Sequence, residues 1–162
     1  MTVYKRDGIG TRGFGTANTA NLSEAVKTTR FYASEAVTTG DLVAFDFSGT
    51  EPDNGYGNHV LLCDTDDALN QHGIGICVED AAAGDLVEVQ YYGKCTFAKV
   101  DVSAVSNGQL LGAGADAGLL DLYDTSAAQG SGGDTLPVAI SITEAGGDTA
   151  ASVVWLLNPA NI

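Results

Sequence analysis

Apolar and polar positions alternate along most of this chain in short bursts, each closed by a turn. The clearest stretch is 85–92, where Val87, Val89 and Tyr91 alternate with Glu88, Gln90 and Tyr92. A period of two places one set on a buried face and the other on a wet face, as in a β-strand. The same reading predicts strands at 30–37, 41–47, 59–63, 73–80, 85–92, 94–100, 109–112, 118–123, 136–143 and 151–157. Between them one phrase recurs three times, as Thr38-Thr39-Gly40-Asp41-Leu42-Val43, Ala82-Ala83-Gly84-Asp85-Leu86-Val87 and Ser106-Asn107-Gly108-Gln109-Leu110-Leu111. Each copy reads as a tight turn feeding a strand, with Gly supplying the positive φ.

Strand 73–80 and strand 85–92 are expected to pair as a hairpin around Asp80 to Gly84, and Gly93-Lys94 to link onward to 94–100, closing a meander. A helical turn at 22–26 and a small helix at 64–71 or 101–106 are the helical segments the pattern allows. Loops at 48–58 and 124–135 are long and polar, the usual setting for surface contacts. The expected fold is all-β: a compact barrel or sandwich of about 8–10 short strands over 29–162, preceded by an extended arm. That arm, residues 1–28, is basic and rich in Gly (Gly8, Gly10, Gly13, Gly15) and has no core-forming period.

Composition supports this division. Hydrophobic residues make up 44% of the 162, enough to bury a core, and only 17% are charged. The 21 glycines favour a turn-rich β-protein over a helical one. Net charge is −14, unevenly placed: residues 1–30 hold five basic and two acidic side chains, a balance of +3. Residues 31–162 hold only Lys94 and Lys99 against 19 acidic side chains, a balance of −17. Such a body repels nucleic acid and anionic membranes, so neither is an expected partner. Cys63, Cys77 and Cys95 are odd in number, lack C-x-x-C spacing and lie in apolar stretches, which reads as three buried free thiols. No leader-like apolar run opens the chain, and no stretch approaches the length of a membrane span.

Four phrases in order carry a resemblance. Gly73-Ile74-Gly75-Ile76-Cys77-Val78-Glu79-Asp80-Ala81-Ala82-Ala83-Gly84 followed by Val87-Glu88-Val89-Gln90, the upstream Val37-Thr38-Thr39-Gly40-Asp41-Leu42-Val43, the late Pro137-Val138-Ala139-Ile140 and the closing Val153-Val154-Trp155-Leu156-Leu157 resemble the capsid decoration, or cement, proteins of tailed phages. The resemblance spans about residues 31–158 and rests on turn-and-strand motifs. It implies a β-rich body on the outer surface of a phage head, assembled in the host cytoplasm, with no catalysis. The implied partners are the major capsid protein and further copies of the chain, usually as a homotrimer. Its departures are the basic arm and the long 48–58 loop. On this reading Tyr4, Lys5, Arg6, Arg12 and Phe14 of the arm are the candidate capsid contacts, and Tyr92, facing away from Val87 and Val89, the candidate subunit contact. A receptor-binding or adhesion module using the two long loops is the alternative.

Sites for chemistry are weakly signalled. Gly8-x-Gly10-x-x-Gly13 has the letters of a dinucleotide fingerprint without the preceding strand and following helix. Asp64-Thr65-Asp66-Asp67 lacks the spacing of a calcium loop, and a solvated turn accounts for it. His59 and His72 are the only histidines and have no paired cysteines to complete a zinc site. No Gly-x-Ser-x-Gly elbow or His-Glu-x-x-His motif occurs, and Glu79 and Asp80 read as strand-end and turn residues. No cofactor, metal or catalytic residue is therefore assigned, and a non-enzymatic role is expected.

Overall fold

The computed structural model describes residues 26–48, 57–64, 72–101, 105–123, 136–143 and 150–157. Among them are nine strands: β1 (Lys27–Ala33), β2 (Leu42–Phe45), β3 (His59–Leu62), β4 (Gly73–Cys77), β5 (Leu86–Val100), β6 (Leu110–Ala113), β7 (Leu120–Leu122), β8 (Ala139–Ser141) and β9 (Ala150–Leu156). The described residues contain no helix. The all-β expectation therefore holds, and strand positions agree closely with the alternation. The candidate helices fall mainly outside the described residues, as do the 1–25 part of the arm and most of both long loops. Lys27 and Thr28, grouped with the arm from sequence, already belong to β1.

The pairings form closed circuits. β1 pairs with β3, β3 with β2, β2 with β4, β4 with β5, and β5 returns to β1, which closes a five-strand barrel. A second circuit runs from β5 through β7, β6, β8 and β9 back to β5. The contact of β1 with β3 and that of β5 with β7 are parallel, the other pairings antiparallel. Closing a sheet removes the unpaired edges that otherwise invite aggregation.

One element serves both circuits. The expected break at Gly93-Lys94 does not occur, and β5 runs unbroken for 15 residues. Its first half pairs with β1 and β4, its second with β9 and β7. Gly93, at φ 93°, marks the change of partners. A left-handed residue bends a strand without ending it, which is why a turn signal stands inside a strand.

Two cores follow from the two circuits. Ala33, Val43, Val60, Cys77, Val87 and Val89, drawn from all five strands of the first circuit, form one cluster with Val37. The second gathers Cys95, Val100, Leu111, Leu120, Ala139, Val154 and Leu156 from the other circuit, and takes in Leu42, Ala44 and Ile76 from β2 and β4. Successive strand residues point to opposite faces, so Val43 fills the first barrel while Leu42 and Ala44 pack against the second. Hence β2 is buried on both faces, and its sequence is a continuous apolar run.

Candidate functional site

The three Gly phrases are turns as expected: Gly40, Gly84 and Gly108 have φ of 94°, 88° and 82°. In each the residue after Gly donates its N–H to the carbonyl three residues back: Asp41 to Thr38, Asp85 to Ala82, Gln109 to Ser106. The first copy does more, because it is wedged between the two barrels. Gly40 donates to the Cys77 carbonyl and accepts from Lys99 N–H; Leu42 N–H donates to Gly118, and Gly118 N–H to Cys63. Asp41 is buried, and its carboxylate accepts from Thr38 N (2.7 Å), Thr38 Oγ1 (2.9 Å) and Lys99 Nζ (2.6 Å). Lys99 is on β5, 58 residues away, so the ion pair ties the turn to the shared strand. Asp80 reinforces the turn by accepting from Thr39 N and Oγ1, and these bonds hold its carboxyl below the usual range. The sequence reading of Asp80 as a turn residue stands; its partner Thr39 was not foreseen.

Concavities open on the described surface, and three of them bear on function. One, of about 230 Å³, is the mouth of the first barrel, walled by Thr29, Phe31, Phe45, Ile74 and Tyr91. Phe31 and Phe45 meet edge to face at 5.6 Å. Tyr91, expected on the same face as Val87 and Val89, stands above those buried valines at this rim. A second, of about 260 Å³, shares Phe45 and Ile74 and continues past His72, Pro137 and Leu157. The third, about 330 Å³, is polar and includes Ser34, Asp46 and His59.

Ser, His and Asp in one hollow invite comparison with a catalytic triad. A triad places His between Ser and Asp as general base. Here Ser34 Oγ donates directly to Asp46 Oδ2 at 2.5 Å, while Ser48 N and Oγ donate to Oδ1. Burial alone would raise the Asp46 pKa, but these bonds, helped by His59, outweigh it and hold the carboxyl low. His59 stacks on Tyr32 at 5.4 Å, and its Nδ1 has no hydrogen-bond partner. Asp46 is thus a brace for the 34–48 segment. Among the described residues no group of three His, Cys, Asp or Glu side chains is placed to hold a metal ion.

The cysteines are free and buried. Burial, with the Asp41 charge adding to it, pushes the Cys77 thiol up to about 12, and burial raises Cys95 as well. A thiol reacts as thiolate. Native protein is therefore expected to react very slowly with a disulfide reagent at neutral pH, and denatured, unreduced protein to release three thiols per chain. A count of one would disprove the free-thiol assignment.

The capsid-contact candidates Tyr4, Lys5, Arg6, Arg12 and Phe14 lie outside the described residues. Tyr92 does not. Its ring meets Trp155 edge to face at 6.0 Å and carries Lys27 Nζ 5.3 Å from its centroid. These three come from β5, β9 and β1, brought together where the two circuits meet. Sequence alternation placed Tyr92 opposite Val87 and Val89, but that face is not wet throughout: Gln90 is buried, its Nε2 donating to the Tyr92 and Lys94 carbonyls, and Trp155 and Lys27 beside Tyr92 required the strand order.

The fold is that of two five-strand barrels sharing one long strand. It is similar to a solved structure described as the N base of head fiber gp8.5 of bacteriophage phi29, with a TM-score of 0.50 and 17% identity. The match covers 82% of this chain and 95% of the other. At that identity the likeness speaks for the fold. No protein-family model matches the sequence, and no curated protein matches it.

Proposed function

We propose that the protein is a structural component of the outside of a bacteriophage head, a cement or decoration subunit that binds at capsomer junctions and stiffens the shell. The observation that carries this is the fold shared with a head fiber base across 82% of this chain and 95% of that one. The motif resemblance described above points to the same location independently. The charge distribution suits the role: an acidic body stays soluble and off nucleic acid, while five of the seven basic residues lie within residues 1–30. In this reading Lys5, Arg6 and Arg12, with Tyr4 and Phe14 as apolar anchors, dock on the major capsid protein. Copies of the chain associate so that several weak contacts act together through effective concentration. A fibre-borne adhesion module is the second reading, favoured by the fold likeness to a head fiber base.

Co-sedimentation with purified phage heads that lack the protein tests the proposal. The full chain is expected to pellet with heads at a fixed ratio to shell protein. A variant lacking residues 2–21 is expected to stay folded but bind more weakly and with less salt dependence. Failure of the full chain to bind any such head, with binding to host cells instead, would favour the adhesion module.

A further inference from the structure

The outer wall of the second barrel breaks the alternation rule. Directly opposed residues in a ladder share a face, and the register lines up Leu110 with Ile140, Ile140 with Trp155, and Trp155 with Lys94. This row crosses β6, β8, β9 and β5. One step further along, Ile142 N–H bonds the Val153 carbonyl, which places a second apolar pair beside the first. Leu110 and Ile142 are 41% and 38% exposed. Tyr92 closes the row against Trp155. The buried partners of these positions, Leu111, Ala139 and Val154, already fill the core. The outward set therefore contributes nothing to the interior, and on a barrel wall polar residues are the default there.

We infer that this wall, centred on Ile140 and Trp155, is the surface through which one copy of the chain binds a second copy. The inference deepens the proposed reading by naming where copies meet. Charge selects the occupant. The charged side chains along this row are Lys94, on the row, and Lys27, over Tyr92, and neither has an ion-pair partner among the described residues. The other lysine of residues 31–162, Lys99, is committed to Asp41. Beyond this wall the body is strongly acidic, at −17 over residues 31–162. A cationic, apolar row on one copy is complementary to acidic side chains elsewhere on the next. Contacts between unlike faces are heterologous and close into rings when the rotation allows.

Trp155 is the only tryptophan, so its emission reports burial of the wall directly. The experiment follows mass by light scattering and Trp155 emission across a concentration series of the full chain, beside Leu110→Glu, Ile142→Glu and Lys94→Glu. Ala82→Glu, at an exposed position in the turn between β4 and β5, serves as the control. Expected is a rise in mass together with a blue shift. Leu110→Glu and Ile142→Glu should weaken association on the order of tenfold or more, with circular dichroism unchanged. Lys94→Glu should weaken it most at low salt. A monomer at every concentration, or equal loss in Ala82→Glu, would overturn the inference. So would a blue shift seen only when phage heads are added, which would assign the wall to the shell protein. Head binding is measured separately by co-sedimentation, so a monomeric chain that still binds heads refutes this surface and leaves the proposed role standing.

Discussion

Gly40→Ala is expected to cost roughly 2–6 kcal/mol, combining about 1–3 of backbone strain with about 1–3 of overpacking. Gly40 sits at φ 94°, and a Cβ there would lie 2.3 Å from the Phe97 carbonyl oxygen and 3.1 Å from Lys99 Cγ. The first is backbone of the shared strand and cannot rotate away. Relief requires parting the turn from β5, which also loosens the Asp41–Lys99 pair. Gly84→Ala provides the contrast: φ is 88°, yet nothing lies within 4 Å of the added carbon. It should cost only the strain, about 1–3 kcal/mol. Chemical denaturation followed at Trp155 measures both. Equal losses at the two positions would show that the close approach to β5 is not what Gly40 provides. With typical domains stable by only about 5–15 kcal/mol, the Gly40 variant is expected to be partly unfolded at physiological temperature.

Leu42→Ala is expected to cost about 2–5 kcal/mol, the usual range for emptying a buried leucine site. Leu42 is on a strand of the first barrel but packs in the core of the second, at 0% exposure. The loss should therefore appear at Trp155, on β9, which no strand of the first barrel pairs with except β5. Far-ultraviolet dichroism and Trp155 emission should give one coincident transition in both wild type and variant. Two separated transitions, with Trp155 unmoved by the substitution, would mean that the barrels unfold independently and that the Leu42 bridge is energetically idle.

Local chemistry made much of this fold readable. Glycine at a forced positive φ is a property of three or four residues, so Gly40, Gly84 and Gly108 were assignable without knowing what they touch. Alternation likewise gave the faces of Tyr91 and Tyr92. What escaped were features set by distant pairings. Gly93 carries the same signal whether it ends a strand or bends one, and only the two sets of partners decide between them. Lys99 gives no hint of Asp41, 58 residues earlier. One overlooked signal was available: Leu42-Val43-Ala44 is apolar without interruption, which already indicated a strand covered on both sides. The outer wall around Trp155 was half legible, since Tyr92 was singled out, but its neighbours come from three other strands.

The first and last strands both reach the midpoint of β5, where Lys27 pairs with Tyr92 and Leu156 with Gly93. Adjacent strands lie about 4.8 Å apart, so the chain enters and leaves its folded body within roughly 10 Å. A short linker there should permit circular permutation, with new termini opened in a distant turn. The same proximity complicates routine handling. A bulky group joined directly before Val26 or after Leu157 would sterically crowd the wall around Trp155. Fusion points that close to β5 would therefore disturb an assembly measurement at either position.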